Sequence, residues 1–257
     1  MAVNVSKLSI TQVDQIIALN NTGALEFILD EVQDTTLSQS EEKVDITGRG
    51  GRKISSLKKN KAVTGSGTNG FIVGGALASM LGSEVTEGVQ QKVRITDIKS
   101  VDASNTITVS QTPVGVLGNE IPFIYYKNVD GSLGEVLTQG ATAAAGVYEV
   151  SGTTVTFDTS VDEGTEVVVF YDAMVDAAKI SNESDKYSKT LQLYIDCTAE
   201  DSCKNQYHVQ FQIPRADFSG TFDLTFGGDP STQAFEFEAM AGGCTGSNAL
   251  WDMIVFE

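Results

Sequence analysis

Residues 207–213 read YHVQFQI, with Tyr207, Val209, Phe211 and Ile213 on one side of an extended chain and His208, Gln210 and Gln212 on the other. Successive side chains of a strand point to opposite faces, so the stretch predicts a strand with one buried and one polar face. Runs of the same kind continue in both directions. ALEFILDEV alternates Leu25, Phe27 and Leu29. From residue 89, VQQKVRITDI, NTITVS, IPFIYY, VYEVSG, TTVTFD and EVVVFYDAMV follow, and then LQLYIDC, GTFDLTF, AFEFEAM and ALWDMIVF. All are rich in Val, Ile, Thr, Tyr and Phe and are separated by Gly, Asp, Asn and Ser clusters. VYEVSGTTVTF reads as a hairpin joined at Ser151 and Gly152. The alanine run in TQGATAAAGVY is bracketed by glycines and reads as a loop.

This spacing predicts an all-β protein, a β-sandwich or partly open barrel, and not βαβ units. One flanking helix is expected in ITQVDQIIAL. There Ile10, Val13, Ile16 and Ile17 share a helical face, and Thr11 and Asp14 lie near the start. So short a helix must dock to persist.

Composition narrows the function. A chain of 257 residues buries a sizeable core as one large β domain or two modules. Its 34 acidic and 17 basic residues give a net charge of −17, which disfavours a nucleic-acid clamp or an anionic membrane surface as partner. No run approaches the roughly eighteen apolar residues of a membrane span. The N-terminus lacks a basic region followed by an apolar stretch, so the chain is expected to be made and kept in a cytoplasm. The charge is uneven. Lys43, Arg49, Arg52, Lys53, Lys58, Lys59 and Lys61 face Asp45 alone, a local balance of +6 that leaves −23 for the remainder. Copies of such a chain attract each other head to tail.

Residues 58–75, KKNKAVTGSGTNGFIVGG, contain Gly65, Gly67 and Gly70 as G-x-G-x-x-G, with Glu84 further on. A dinucleotide turn needs a buried strand entering and a helix leaving it. KKNKAV is too charged for the first, and FIVGGALASMLG, interrupted by Gly74 and Gly75, is a poor interior for the second. No Lys-Ser or Lys-Thr pair follows the glycines as a P-loop requires. The glycines therefore read as a supple loop ordered by a neighbour.

No catalytic, metal or cofactor residues are assigned. Cys197, Cys203, His208 and Cys244 make a chemically sensible zinc set, yet C-x5-C and C-x4-H lack the short knuckle pair, and a Cys203–Cys244 contact is the alternative. EEKVD, TAEDSC and FDLTFGGD hold neighbouring carboxylates without calcium-loop spacing. G-x-S-x-G is missing, and the single histidine has no recognisable nucleophile partner. GRGGRKISSLKKNK has no aromatic residues for base stacking and suits an acidic neighbouring subunit instead.

Three segments, ITGRGGRKISSLKKNKAVTGSGTNGFIVGG, AAKISNESDKYSKTLQLYIDC and YHVQFQIPRADFSGTFDLTFGGDPSTQAFEFEAMAG, resemble tailed-bacteriophage virion proteins. The resemblance is greatest to the major tail protein, or tail tube protein, family. It covers about half the chain, roughly 40–85 and 177–257. It implies a non-enzymatic virion protein, assembled in the host cytoplasm into stacked, commonly hexameric rings around a DNA channel. The other implied partners are further tail proteins, such as a tape measure protein, and DNA that passes without specific binding. Residues 1–87 and 177–257 would form the tube-like domain, and 88–176 an inserted β module. Residues about 43–75 would be a long flexible inter-subunit arm carrying Arg49, Arg52, Lys53, Lys58, Lys59, Lys61, Gly65, Gly67 and Gly70. A head decoration protein would share this composition. A carbohydrate-binding β-sandwich is the reading from another class, against which Trp251 sits in a strand apolar on both sides.

Overall fold

A computed structural model describes residues 7–224, 231–242 and 248–256. In chain order its elements are β1 (Leu8–Leu19), β2 (Leu25–Leu29), β3 (Val32–Thr47), β4 (Lys53–Asn69) and α1 (Gly74–Leu81). Then come β5 (Thr86–Ser100), β6 (Thr106–Thr108), β7 (Phe123–Lys127), β8 (Leu133–Gln139), β9 (Val147–Ser151), β10 (Thr154–Thr156) and β11 (Glu166–Lys179). The last are β12 (Thr190–Asp201), β13 (Gln206–Phe218), β14 (Gln233–Ala239) and β15 (Asp252–Phe256). Among the described residues the protein is all-β with one short α-helix. It divides into two compact units, Met1–Val85 with Ile180–Glu257, and Thr86–Lys179.

The first unit is one sheet in the order β2-β1-β12-β13-β14-β4-β3, with β15 also paired to β13. Strand alternation sets its core face: β14 buries Gln233, Phe235, Phe237 and Ala239 and exposes the residues between them. The sheet curls into a partly open barrel. Ile10 and Val13 of β1 and Thr35 and Leu37 of β3 line one apolar cavity of about 340 Å³, together with Cys197, Phe211 and Trp251. Trp251 is half-buried there, its ring 5.8 Å from that of Phe211.

Segment 10–19 is a strand, not the expected helix. β1 pairs with β12 across two register shifts, between Ile10 and Gln12 and between Val13 and Gln15. Each bulge adds a residue. The inward positions thus become Ile10, Val13, Ile16 and Ala18, opposite Ala199, Cys197, Ile195 and Leu193. Two bulges in one strand imitate the spacing of a helix. The helix itself is α1, in the stretch whose glycines predict a poor helix interior. Gly74 and Gly75 open α1 and do not interrupt it, and Ala76 and Met80 pack into the core. Gly82 ends it in the left-handed region (φ 66°), with the Ser83 N–H donating to the Ala78 carbonyl at 2.8 Å.

The second unit is a seven-stranded sheet in the order β5-β11-β7-β8-β9-β10-β6. The expected hairpin is present as β9 and β10, with Thr154 opposite Ser151, so the turn residues are Gly152 and Thr153. Its core gathers Ile121, Ile124, Tyr148, Val155, Val167 and Tyr171. Asp97 is nearly buried, and burial raises its pKa. The Ser110 amide and hydroxyl and the Tyr171 hydroxyl, at 2.6, 2.8 and 2.9 Å, outweigh that and hold the carboxyl below its usual range. Residues 140–146 are irregular, as the alanine run implied. Of GTFDLTF, residues 220–224 are irregular and the last two lie outside the described residues, as do Asp229 and Cys244.

Candidate assembly surface

β3 and β4 form one long hairpin, from Val32 opposite Asn69 to Thr47 opposite Lys53. The stretch expected to be a flexible arm is therefore an ordered two-stranded ribbon. Its two halves differ. β14 pairs with β4 from Asn69 only as far as Val63. Beyond that, β4 has β3 alone, and the change coincides with a register shift between Ser40 and Glu42 and a left-handed Asn60 (φ 51°).

In the sheet-locked half, the glycines have a packing role. Gly65 lies opposite Phe237 and Gly67 opposite Phe235. A Cβ on Gly65 would enter the Phe237 ring. One on Gly67 would collide with the Asp34 carbonyl and the Phe235 ring. Aromatic rings over cross-strand glycines cover backbone that has no side chain of its own. Gly70 follows the strand, its N–H donating to the Glu31 carbonyl at 2.8 Å. The fingerprint is neither a cofactor turn nor a supple loop, because these glycines lie in a paired strand and leave room for the rings of two phenylalanines on its neighbour.

In the free half the two faces are chemically distinct. Directly opposed residues of antiparallel strands share a face. Val44 lies opposite Leu57, Ile46 opposite Ser55, and Glu42 opposite Lys59. Val44, Ile46 and Leu57 are 40%, 49% and 59% exposed, and Ile54, in the bulge near the tip, is 70% exposed. The other face carries Lys43 opposite Lys58 and Asp45 opposite Ser56.

Three of the basic residues are engaged within the ribbon. Lys53 meets Asp45 at 2.6 Å, Lys58 meets Glu41 at 2.6 Å, and Lys59 meets Glu42 at 3.4 Å. The hydrogen bond from Lys58 holds the Glu41 carboxyl below the usual range against a desolvation that raises it, and the charges of Lys58, Lys61 and Lys43 add to the lowering. Arg49 and Arg52 flank the glycine turn at the tip and are exposed. Among the described residues, these two and Lys43 and Lys61 form no ion pair. The basic residues and glycines named from the sequence therefore share one hairpin, but at opposite ends of it. The apolar stripe of the free half was not read from the sequence, although Val44 and Ile46 alternate with Lys43 and Asp45 in KVDI.

Of the cysteine–histidine set, Cys197, Cys203 and His208 do not converge, while Cys244, and with it the Cys203–Cys244 alternative, lies outside the described residues. Cys197 is buried, and burial, with the nearby Asp14 and Asp196 charges, pushes its thiol up to about 11. His208, on the neighbouring strand, pairs with Thr198 on the opposite face of the sheet and stacks on Phe256 at 5.6 Å. Cys203 is exposed in the β12–β13 turn. Among the described residues no three His, Cys, Asp or Glu side chains could hold a metal ion. No helix among them is long and apolar enough to cross a membrane.

The chain matches the model of the YomU/Tube protein family over residues 8–253. No curated protein matches it. The match spans nearly the whole chain, which therefore belongs to the YomU/Tube family, a family of phage tail tube structural proteins.

Proposed function

We propose that this chain assembles with copies of itself into stacked, hexameric rings that form the tail tube, a conduit DNA crosses without specific binding. It acts without catalysis, as a virion component assembled in the host cytoplasm, and meets other tail proteins, such as a tape measure protein, at the tube's ends. The unit Thr86–Lys179 is an insertion into the tube-forming unit.

The observation that carries this reading is the free half of the β3–β4 ribbon. A two-stranded ribbon is marginal on its own, and this one exposes Val44, Ile46, Ile54 and Leu57. Covering such side chains against a neighbour is worth on the order of 1 kcal/mol each. Arg49, Arg52, Lys43 and Lys61 add attraction to an acidic neighbouring copy, while Lys53, Lys58 and Lys59 are largely spent within the ribbon. The ribbon thus docks by its apolar face and is guided by its tip.

Negative-stain microscopy across protein concentration tests this reading. Rings or tubes are expected from the unmodified protein, and none from the Ile46→Glu, Leu57→Glu variant. Salt should slow assembly without abolishing it. Persistent monomers of the unmodified protein at every concentration would overturn the proposal.

A further inference from the structure

We infer that the apolar cavity at the open side of the first unit's barrel is a socket for the ribbon of a second copy, with Val44 and Leu57 as the pair it receives. This inference rests on the tube reading and deepens it by naming where the ribbon docks. β2 and β3 are the two ends of the sheet, so hydrogen bonds do not close the barrel between them. β2 pairs with β1 only from Ile16 to Leu19, so at Ile10 and Val13 it is β1 that borders the gap. The cavity is lined from both sides of that gap, by Ile10 and Val13 of β1 and by Thr35 and Leu37 of β3, with Phe211 and Trp251 between them in the wall. Ile10 is 48% exposed, a lining side chain still waiting for cover.

Three observations identify the occupant. The first is size: an apolar cavity of about 150 Å³ holds one benzene-sized group, so one of about 340 Å³ holds about two. Val44 and Leu57, directly opposite each other on the ribbon and both exposed, are such a pair. The second is polarity. The Thr35 Oγ1 is buried against the cavity with no hydrogen-bond partner among the described residues, a cost that a hydroxyl brought by the occupant removes. Ser55, opposite Ile46, is exposed on the same face of the ribbon as Val44 and Leu57, so the stripe carries one hydroxyl beside its aliphatic groups. The third is charge. Asp14, Asp34, Asp196 and Asp252 adjoin lining residues in sequence, and among the described residues none of them forms an ion pair. The unpaired Lys43, Arg49, Arg52 and Lys61 of the ribbon are drawn to that surface. A chain's own stripe does not reach its own cavity. Val44 lies about 20 Å beyond Leu37 along the same continuous strand, at the ordinary rise per residue. The donor is therefore another copy.

Contact quenching of Trp251, the only tryptophan, tests this. Donor copies carry Trp251→Phe and a nitroxide on Leu57→Cys, with Cys203→Ser and Cys244→Ser to remove competing thiols. Socket copies carry Leu57→Glu and keep Trp251. When the two are mixed at concentrations where the unmodified protein forms tubes, Trp251 emission should fall several-fold. A nitroxide on Lys58→Cys, on the other face of the ribbon, should leave most of the emission. Equal quenching from the two positions, or none from either, would overturn the socket and leave the tube reading standing, whereas an unmodified protein that forms no tubes would overturn both. As a second measurement, Val13→Phe fills the cavity from its own wall. Its monomers should unfold at no lower denaturant concentration than the unmodified protein and should form no tubes. Tubes in normal yield would sink the inference. An apolar small molecule released on denaturing purified monomers, with Trp251 unquenched in the mixture, would give the cavity to a small ligand instead and overturn the proposal.

Discussion

The two halves of the β3–β4 hairpin are continuous in backbone and opposite in environment. In the half held against β14, Gly65 and Gly67 lie under Phe237 and Phe235, and Val63 is fully buried. In the half beyond Asn60, Val44, Ile46 and Leu57 stand in solvent with charged pairs behind them. The lesson concerns where a residue's role comes from. Glycine in the first half gives close packing, and aliphatic side chains in the second half give exposure, the reverse of what each type does on average. The first half is built to fold and the second to be covered, so the sharpest tests separate stability from assembly.

The largest effect is expected where the ring meets the strand. Phe237→Ala empties the space over Gly65 and should cost about 4 kcal/mol of unfolding free energy. Denaturant titration followed by Trp251 fluorescence reads this directly, since the only tryptophan belongs to the same unit. A cost below about 1 kcal/mol would show that the ring is not packed as described. Gly65→Ala pushes a Cβ into that ring and should cost about 2 kcal/mol. The two changes share one contact and are not additive. In the Phe237→Ala background the glycine substitution should cost less than half as much. Full additivity would mean that Gly65 is there for a reason other than the ring.

The other half should behave in the opposite way. Leu57→Glu changes an exposed side chain and should leave unfolding free energy within about 0.5 kcal/mol of the unmodified value. Sedimentation of the same sample should nevertheless show subunits in place of assemblies. If stability fell along with assembly, the stripe would be part of the fold and not a docking face.

These contrasts also explain what could be read from the sequence. The alternation in YHVQFQI and AFEFEAM was legible because strands with one wet face repeat every second residue. The bulges of β1 were not, since an inserted residue turns inward spacing from two to three and borrows the helix signal. Nor was α1, whose glycines lie at its start, where they cost little, and whose left-handed end at Gly82 is the clearer marker. The glycines of KKNKAVTGSGTNG were conspicuous but ambiguous. Gly65-x-Gly67 gains its meaning only beside Phe235-x-Phe237, far away in sequence and at the same spacing. Likewise, seven clustered basic residues overstated the charge offered outward, because Glu41, Glu42 and Asp45 come to face Lys58, Lys59 and Lys53 only when the hairpin closes.

That closure gives the smallest and most local test. Glu41 is exposed, yet its carboxyl titrates below the usual range, first because Lys58 hydrogen-bonds to it and then because of nearby positive charge. A carboxylate whose folded pKa is lowered favours the folded ribbon at pH values above its unfolded pKa and loses that effect as pH falls through the folded one. Lys58→Ala should therefore move the Glu41 titration, followed by NMR, up toward the ordinary glutamate range. Alanine at Leu57, on the apolar face, should leave it nearly where it was. The effect on overall stability should be negligible, since exposed pairs contribute little. If removing Lys58 did not move Glu41, the two strands would not be paired in this register in solution. The lysines would then be free to act on a neighbour, and the attraction between copies would be mainly electrostatic, with the apolar stripe secondary.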